Sequence, residues 1–238
     1  YNHPSPWDQS FPPMSMVDMV VNSATATPDA VMIDFLGRKT SYRDMLLMIR
    51  RVAKGLQDMG VQKGDRVGLY LPNVPHYVAG YYGAMMAGAT VVNFSPLYTA
   101  AELEHQVEDS GTKILFTLSA KALLPTALEV LDNSSLERLV VGCVASALPP
   151  AKSVLFRIFK RSETAPLPHD PRITNYADLL RHGEDPVPVA IDPVNDVALL
   201  QYTGGTTGRP KGAMLTHQNL TANARQVRLI DPHPGATD

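Results

Sequence analysis

Between Val67 and Ala101 the chain carries no Asp, Glu, Lys or Arg. A stretch of that length without charge must be hidden from water almost throughout. A membrane span would need about 20 nearly continuous apolar residues. Here the run is broken by Pro72, Asn73, Pro75, His76, Asn93 and Pro96. The stretch therefore reads as a strand (Arg66 to Leu71), a helix (Val74 to Ala87) and a second strand (Ala89 to Asn93), all buried within a soluble domain.

The flanking sequence extends the same alternation. Ala30 to Leu36 reads as a strand. Ser41 to Met59 reads as a helix with Thr40 as its cap and Gly60 as a left-handed stop. Its apolar positions, Tyr42, Met45, Leu46, Ile49, Val52, Ala53, Leu56 and Met59, repeat at helical spacing. Thr99 with Glu102 forms a capping-box pattern at the start of a helix that ends near Gly111. Lys113 to Thr117 is a strand, Ala120 to Leu131 a helix, and Arg138 to Gly142 a strand. Strands separated by helices of this length predict an α/β fold, a mostly parallel sheet flanked by helices.

Three parts are expected along the chain. Residues 1–143 form the α/β unit, opened by a proline-rich arm (residues 1–13) and a short helix from Met14 to Thr25. Residues 144–196 hold eight of the 20 prolines and read as a connector with one short helix, and another around Tyr176 to Arg181. Residues 197–238 give a buried strand (Val197 to Tyr202), a glycine-rich loop and a helix from Thr216 to Ile230.

Composition excludes several classes. With 45% apolar and 18% charged residues a disordered chain is not expected. A formal net charge of −2 gives no basic footprint for nucleic acid. The single cysteine, Cys143, allows no internal disulfide, fits a reducing compartment and reads as a small buried filler. No basic-then-apolar leader follows Tyr1, and the missing initiator methionine suggests a start inside a longer frame.

The loop "TGGTTGRPKG", Thr203 to Gly212, holds the chemistry. Glycines remove side chains so that backbone N–H groups converge on an anion. Thr203, Thr206 and Thr207 add hydroxyls, and Lys211 adds a mobile positive charge suited to a polyphosphate, with Arg209 as a second cation. Lys211 lies three residues beyond Gly208 and precedes Gly212, so this is not a Walker A loop, and the G-x-G-x-x-G dinucleotide pattern is also missing.

The wider stretch "LLQYTGGTTGRPKGAMLTHQNL", Leu199 to Leu220, resembles the phosphate-binding signature of the adenylate-forming (AMP-forming) ligases. "SYRDMLLMIRRVAKGLQDMGVQKGDRVGLYLPN", "YYGAMMAGATVVNFSPLYTAAELEHQVEDSG" and "KILFT" are similar to earlier segments of that superfamily. "SPLYTAAELEHQ" and the Thr-Gly-Gly spelling look most like bacterial long-chain fatty-acid–CoA ligases, although many relatives have serine at the position of Gly204.

The resemblance implies ATP, Mg2+ and coenzyme A as cofactors and a fatty acid as substrate. It implies Thr203, Gly204, Gly205, Thr206, Thr207, Gly208 and Lys211 as the ATP-phosphate set, and a possible homodimer in the cytoplasm. The adenine-binding segment, the Mg2+-holding glutamate, the ribose-binding aspartate and the C-terminal catalytic lysine match no residue here. The resemblance thus assigns no catalytic residue and implies an N-terminal portion that is inactive alone.

Other candidates have plainer readings beside them. "AKSVLFRIFKRS", Ala151 to Ser162, is either a basic amphipathic helix for a membrane surface, at Lys152–Arg161, or a helix packed on the body with a solvated basic edge. Glu104, His105 and Glu108 read as a solvated helix face rather than a metal site, since no ligand quartet is present. His217 lies near enough in sequence to touch phosphate, or else packs or caps a helix. His76 and Tyr98 have no role assigned by the sequence.

Overall fold

The computed structural model describes Pro6 and residues 8–181, 183–203 and 210–230. In chain order the elements are α1 (Met16–Ala26), β1 (Val31–Phe35), β2 (Arg38–Ser41), α2 (Tyr42–Asp58), β3 (Arg66–Tyr70), α3 (Pro75–Met86), β4 (Thr90–Phe94), α4 (Ala100–Ser110) and β5 (Thr112–Leu118). There follow α5 (Leu124–Asn133), β6 (Arg138–Gly142), α6 (Pro150–Phe159), β7 (Ile173–Asn175), α7 (Tyr176–Leu179), β8 (Val197–Thr203), β9 (Lys211–Thr216) and α8 (His217–Ile230).

Seven strands form one sheet in the order β7-β6-β5-β3-β4-β8-β9. All neighbours are parallel except β8 and β9, so the mostly parallel α/β sheet expected from the alternation is present. β1 and β2 form a separate antiparallel hairpin. The charge-free stretch supplies β3, α3 and β4, and β3 lies at the middle of the sheet. Val67, Leu69, Val91 and Val92 are fully buried. That burial on both faces is why no charge is tolerated there.

Strand order fixes the layers. From β3 the chain steps to β4 on one side and then back across β3 to β5 on the other. Right-handed crossovers in opposite directions place α3 and α4 on opposite faces. α2 packs on α3, and α5 packs on α4. The reversal creates a switch point, and in open α/β sheets ligands bind beyond the carboxyl ends of the strands there.

Local signals explain the boundaries. Thr99 accepts from the Glu102 amide while Glu102 caps the Thr99 amide, both halves of the capping box. Gly60 adopts φ 90° just after α2. The cap of α2 is Ser41 rather than Thr40: its hydroxyl accepts from Asp44 N at 3.1 Å, because β2 keeps Thr40 extended and buried. Cys143 is half-buried rather than buried.

α2 and α3 approach closely at Gly83. A Cβ there would lie 2.6 Å from Val52 Cγ1 and 3.1 Å from the Ile49 carbonyl oxygen. Val52 is stiff at χ1 and cannot swing away freely. Gly83→Val is expected to lower stability by about 3 kcal/mol through overpacking, read as a drop in the urea midpoint. An unchanged midpoint would show that the helices slide apart without cost.

Candidate functional site

The segment expected to bind phosphate begins at the end of β8 and ends at the start of β9, the edge strand of the sheet. The sequence predicts strand, loop, helix. The structure adds a strand before the helix: β9 returns antiparallel along β8, with Thr203 opposite Lys211 and Val197 opposite Thr216. The cause is that residues 211–216 pair with β8 through backbone bonds, before α8 begins at His217. The loop is thus carried by a hairpin at the carboxyl end of β8.

Of the expected phosphate set, Thr203 and Lys211 are described, both exposed. The Thr203 hydroxyl donates to the Lys211 carbonyl at 3.4 Å. Gly204, Gly205, Thr206, Thr207 and Gly208 lie outside the described residues, as does Arg209. The hairpin brings Thr203 and Lys211 together across the two strands at the mouth of the loop.

The loop end of β8 is held from both faces of the sheet. Gln201 pairs in register with Asn93 on β4, and Asn93 Nδ2 donates to Gln201 Oε1 at 3.0 Å. Tyr77 on α3 donates its hydroxyl to Asn93 Oδ1 at 2.8 Å. The next residue, Tyr202, points to the opposite face, as alternation along a strand requires. Its hydroxyl donates to Asp109 Oδ2 on α4 at 2.5 Å. Burial raises the Tyr202 phenol above its usual pKa, and the Asp109 carboxylate adds to the shift. Burial likewise raises Tyr77, opposed by the bond to Asn93. Both phenols stay neutral donors, so the strand leading into the loop is pinned on either side.

Sequence reasoning did not find Tyr77, Asn93, Gln201 or Asp109. Asn93 and Gln201 stand 108 positions apart, and only the strand order makes them neighbours. The one available signal was a polar residue, Asn93, inside an otherwise apolar strand.

His217 is far from the loop. β9 carries the chain back across the sheet, so His217 follows Thr216, the partner of Val197. Val197 is separated from Thr203 by a strand about 20 Å long. His217 is buried, and its Nδ1 accepts from Met16 N at 3.2 Å. Its role is therefore to dock α1 on α8. The proline-rich arm docks there too: Arg225 donates to the Pro12 carbonyl at 2.9 Å and lies over the Phe11 ring.

His76 is buried near the carboxyl end of β6, with Nε2 3.1 Å from Ser146 Oγ. The Tyr98 carbonyl accepts from Tyr70 at 3.1 Å, tying the loop after β4 to β3. Glu108 accepts from the Ser135 amide, which leaves it a structural contact between α4 and the turn after α5. Among the described residues no group of three or more His, Cys, Asp or Glu side chains could hold a metal ion.

A cavity of about 340 Å3 lies at the opposite, amino edge of the sheet, lined by Lys63, Gly88, Thr90, Asp196, Val197 and His217. Lys63 and Asp196 form an ion pair of 2.7 Å there. Its cation is already matched, and the cavity is a strand's length from Thr203 and Lys211.

The fold is an open, mostly parallel α/β sheet with a reversal in strand order, a class in which ligands bind beyond the carboxyl ends of the strands. A family described as AMP-binding enzyme matches residues 20–238, and the chain belongs to it. A long-chain-fatty-acid–CoA ligase of Bacillus subtilis (strain 168) is 36% identical over 241 residues, covering 99% of this chain and 43% of that protein. The same-named protein of Salmonella typhimurium is 36% identical over 228 residues, covering 93% and 40% respectively. The crystal structure of a long-chain-fatty-acid-CoA ligase from Archaeoglobus fulgidus superposes with a TM-score of 0.72 at 28% identity, covering 93% of this chain and 40% of that one. The chain spans less than half the length of these relatives.

Proposed function

We propose that this chain supplies the ATP-phosphate-binding hairpin of a long-chain fatty-acid–CoA ligase. The observation that carries the reading is the Thr203–Lys211 pair, set at the carboxyl edge of the sheet in a member of the AMP-binding family. In the first step a fatty carboxylate oxygen attacks the α-phosphorus of ATP. The bond to pyrophosphate breaks and an acyl-adenylate forms. In the second step the coenzyme A thiol attacks the acyl carbon and AMP leaves.

Thr203, the loop residues Gly204, Gly205, Thr206, Thr207 and Gly208, and Lys211 are proposed to hold the β- and γ-phosphates. Their N–H groups, hydroxyls and ammonium offset charge as pyrophosphate departs. Mg2+, when bound, would neutralise part of the same charge. The three-part division at residues 143 and 196 belongs to the proposal, as do a homodimer, a cytoplasmic location and a peripheral place on the inner membrane face. Among the described residues no helix is long and apolar enough to cross a membrane.

The test is pyrophosphate release from ATP by a protein carrying this chain within the full length of its relatives, with fatty acids of increasing length. Release that rises with acyl length is expected, and the 238-residue chain alone is expected to give none. Release driven only by aryl or amino acids would move the protein to another branch of the superfamily. No release with any carboxylate would leave a non-catalytic nucleotide- or membrane-binding module.

A further inference from the structure

Helix α6 is turned the wrong way for an ordinary surface helix. Such helices point their apolar stripe inward. In α6 only Ser153 and Phe156 are part-covered, and no residue of the helix is buried. Val154, Leu155, Ile158 and Phe159 all face outward, Phe159 being 74% exposed. At about 100° per residue these four fall on one arc opposite Ser153 and Phe156. Arg157 stands at one margin of that arc and Lys152 at the other.

The tip of the β1–β2 hairpin adds to the same surface. Phe35 pairs with Arg38, so the turn is Leu36-Gly37, with φ of 53° and 93°. Two left-handed residues in a two-residue hairpin loop favour Asn-Gly. Leucine is strained in that conformation. It also gains little packing, being 59% exposed. Lys152 Nζ donates to the Leu36 carbonyl at 2.7 Å. Arg38 donates to the Ser146 and Leu148 carbonyls, just ahead of α6, at 2.6 and 3.4 Å. Tip and helix are thereby joined.

Charge gathers at this place. The whole chain has a formal net charge of −2, yet residues 34–39 and 150–163 carry six basic side chains against two acidic ones. Glu163 is paired with Lys160. Asp34 accepts from the Gly37 amide within the turn.

We propose that the Leu36 tip and the outer face of α6 form one composite seat on an anionic lipid bilayer. The apolar side chains enter the boundary between headgroups and acyl chains, and Lys152, Arg157 and Arg161 lie at the level of the lipid phosphates. A layer that is anionic above and apolar beneath complements an apolar arc with cations at its margins. The proposal rests on the ligase reading only for its motive, a substrate that partitions into membranes; the geometry stands apart from it.

The test floats the full 238-residue chain with phosphatidylcholine vesicles, with and without phosphatidylglycerol. Binding at least about tenfold stronger with phosphatidylglycerol is expected, weakening as salt is added. Ile158→Glu is expected to reduce it about tenfold. Leu36→Asn is expected to reduce it about threefold while the melting temperature holds or rises, since asparagine suits the turn. Absence of binding, or equal binding by both variants and the unaltered chain, overturns the proposal. A dimer of the unaltered chain that Ile158→Glu makes monomeric also overturns it, because a second copy then covers the face. Flotation involves no turnover, so a failed ligase assay and a failed vesicle assay are separable.

Discussion

Replacing Lys211 by alanine is expected to slow fatty-acid-dependent pyrophosphate release by about a hundredfold, the usual scale for removing one group that stabilises developing charge. Lys211 is exposed at the start of β9, and its backbone pairs with Thr203. That pairing does not use the ammonium, so alanine removes charge and leaves the hairpin. Arginine keeps the charge but presents a planar fork instead of a compact ammonium. It should restore only part of the rate. Lys63 is the control: it is partly exposed and pairs with Asp196 at the far edge of the sheet. Lys63→Ala should leave the rate within about threefold of the unaltered protein, since its charge is too distant to reach the phosphates unscreened. A folded Lys211→Ala protein with an unchanged rate would remove Lys211 from the phosphate set.

The parts legible in the sequence are those whose signals are local. The capping box at Thr99 and Glu102 and the left-handed Gly60 need no long-range partner. β6 occupies Arg138–Gly142, as its apolar run predicts. β9 was not legible, because its first four residues are exposed and show no alternation. Its strand character comes from backbone pairing with β8, which side-chain pattern does not report. β7 is three residues long, and its place at the sheet edge depends on the pairing of Ile173 with Leu139. The loop is legible only as residue types, two of which, Thr203 and Lys211, the described strands bring opposite each other. What anchors the loop is not legible, since Asn93, Gln201, Tyr77 and Asp109 meet only once the strand order is set.

Acid should destabilise this protein between about pH 6.5 and pH 4, and His76 is expected to cause most of the loss. The imidazole is only 4% exposed. Nε2 faces Ser146, while Nδ1 is buried without a hydrogen-bond partner among the described residues. The Tyr176 ring lies edge-on at 4.7 Å. On another side the Gly142 backbone is so near that a Cβ there would come within 2.8 Å of the His76 ring. Burial lowers the His76 pKa to about 4, and the positive charge of Arg38 adds to the shift. In the unfolded chain the same group titrates near its ordinary value of about 6.5. Between those values the unfolded state holds a proton that the folded state refuses. The stabilisation is therefore complete above about pH 6.5 and lost as pH falls through about 4, amounting to about 3 kcal/mol. His217 is lowered mainly by burial and acts in the same direction, opposed by Asp196 and Asp18. Asp170, Asp192 and Glu102, whose pKa values are lowered by hydrogen bonds, lose their contributions at more acid pH. Urea unfolding at about pH 7 and about pH 4 measures the difference. His76→Gln removes the titration and retains an amide to face Ser146. It should lower stability at neutral pH and flatten the acid loss. If the glutamine variant loses as much stability as the unaltered chain over that interval, the proton is taken up elsewhere, and the unpartnered Nδ1 is tolerated without a pH cost.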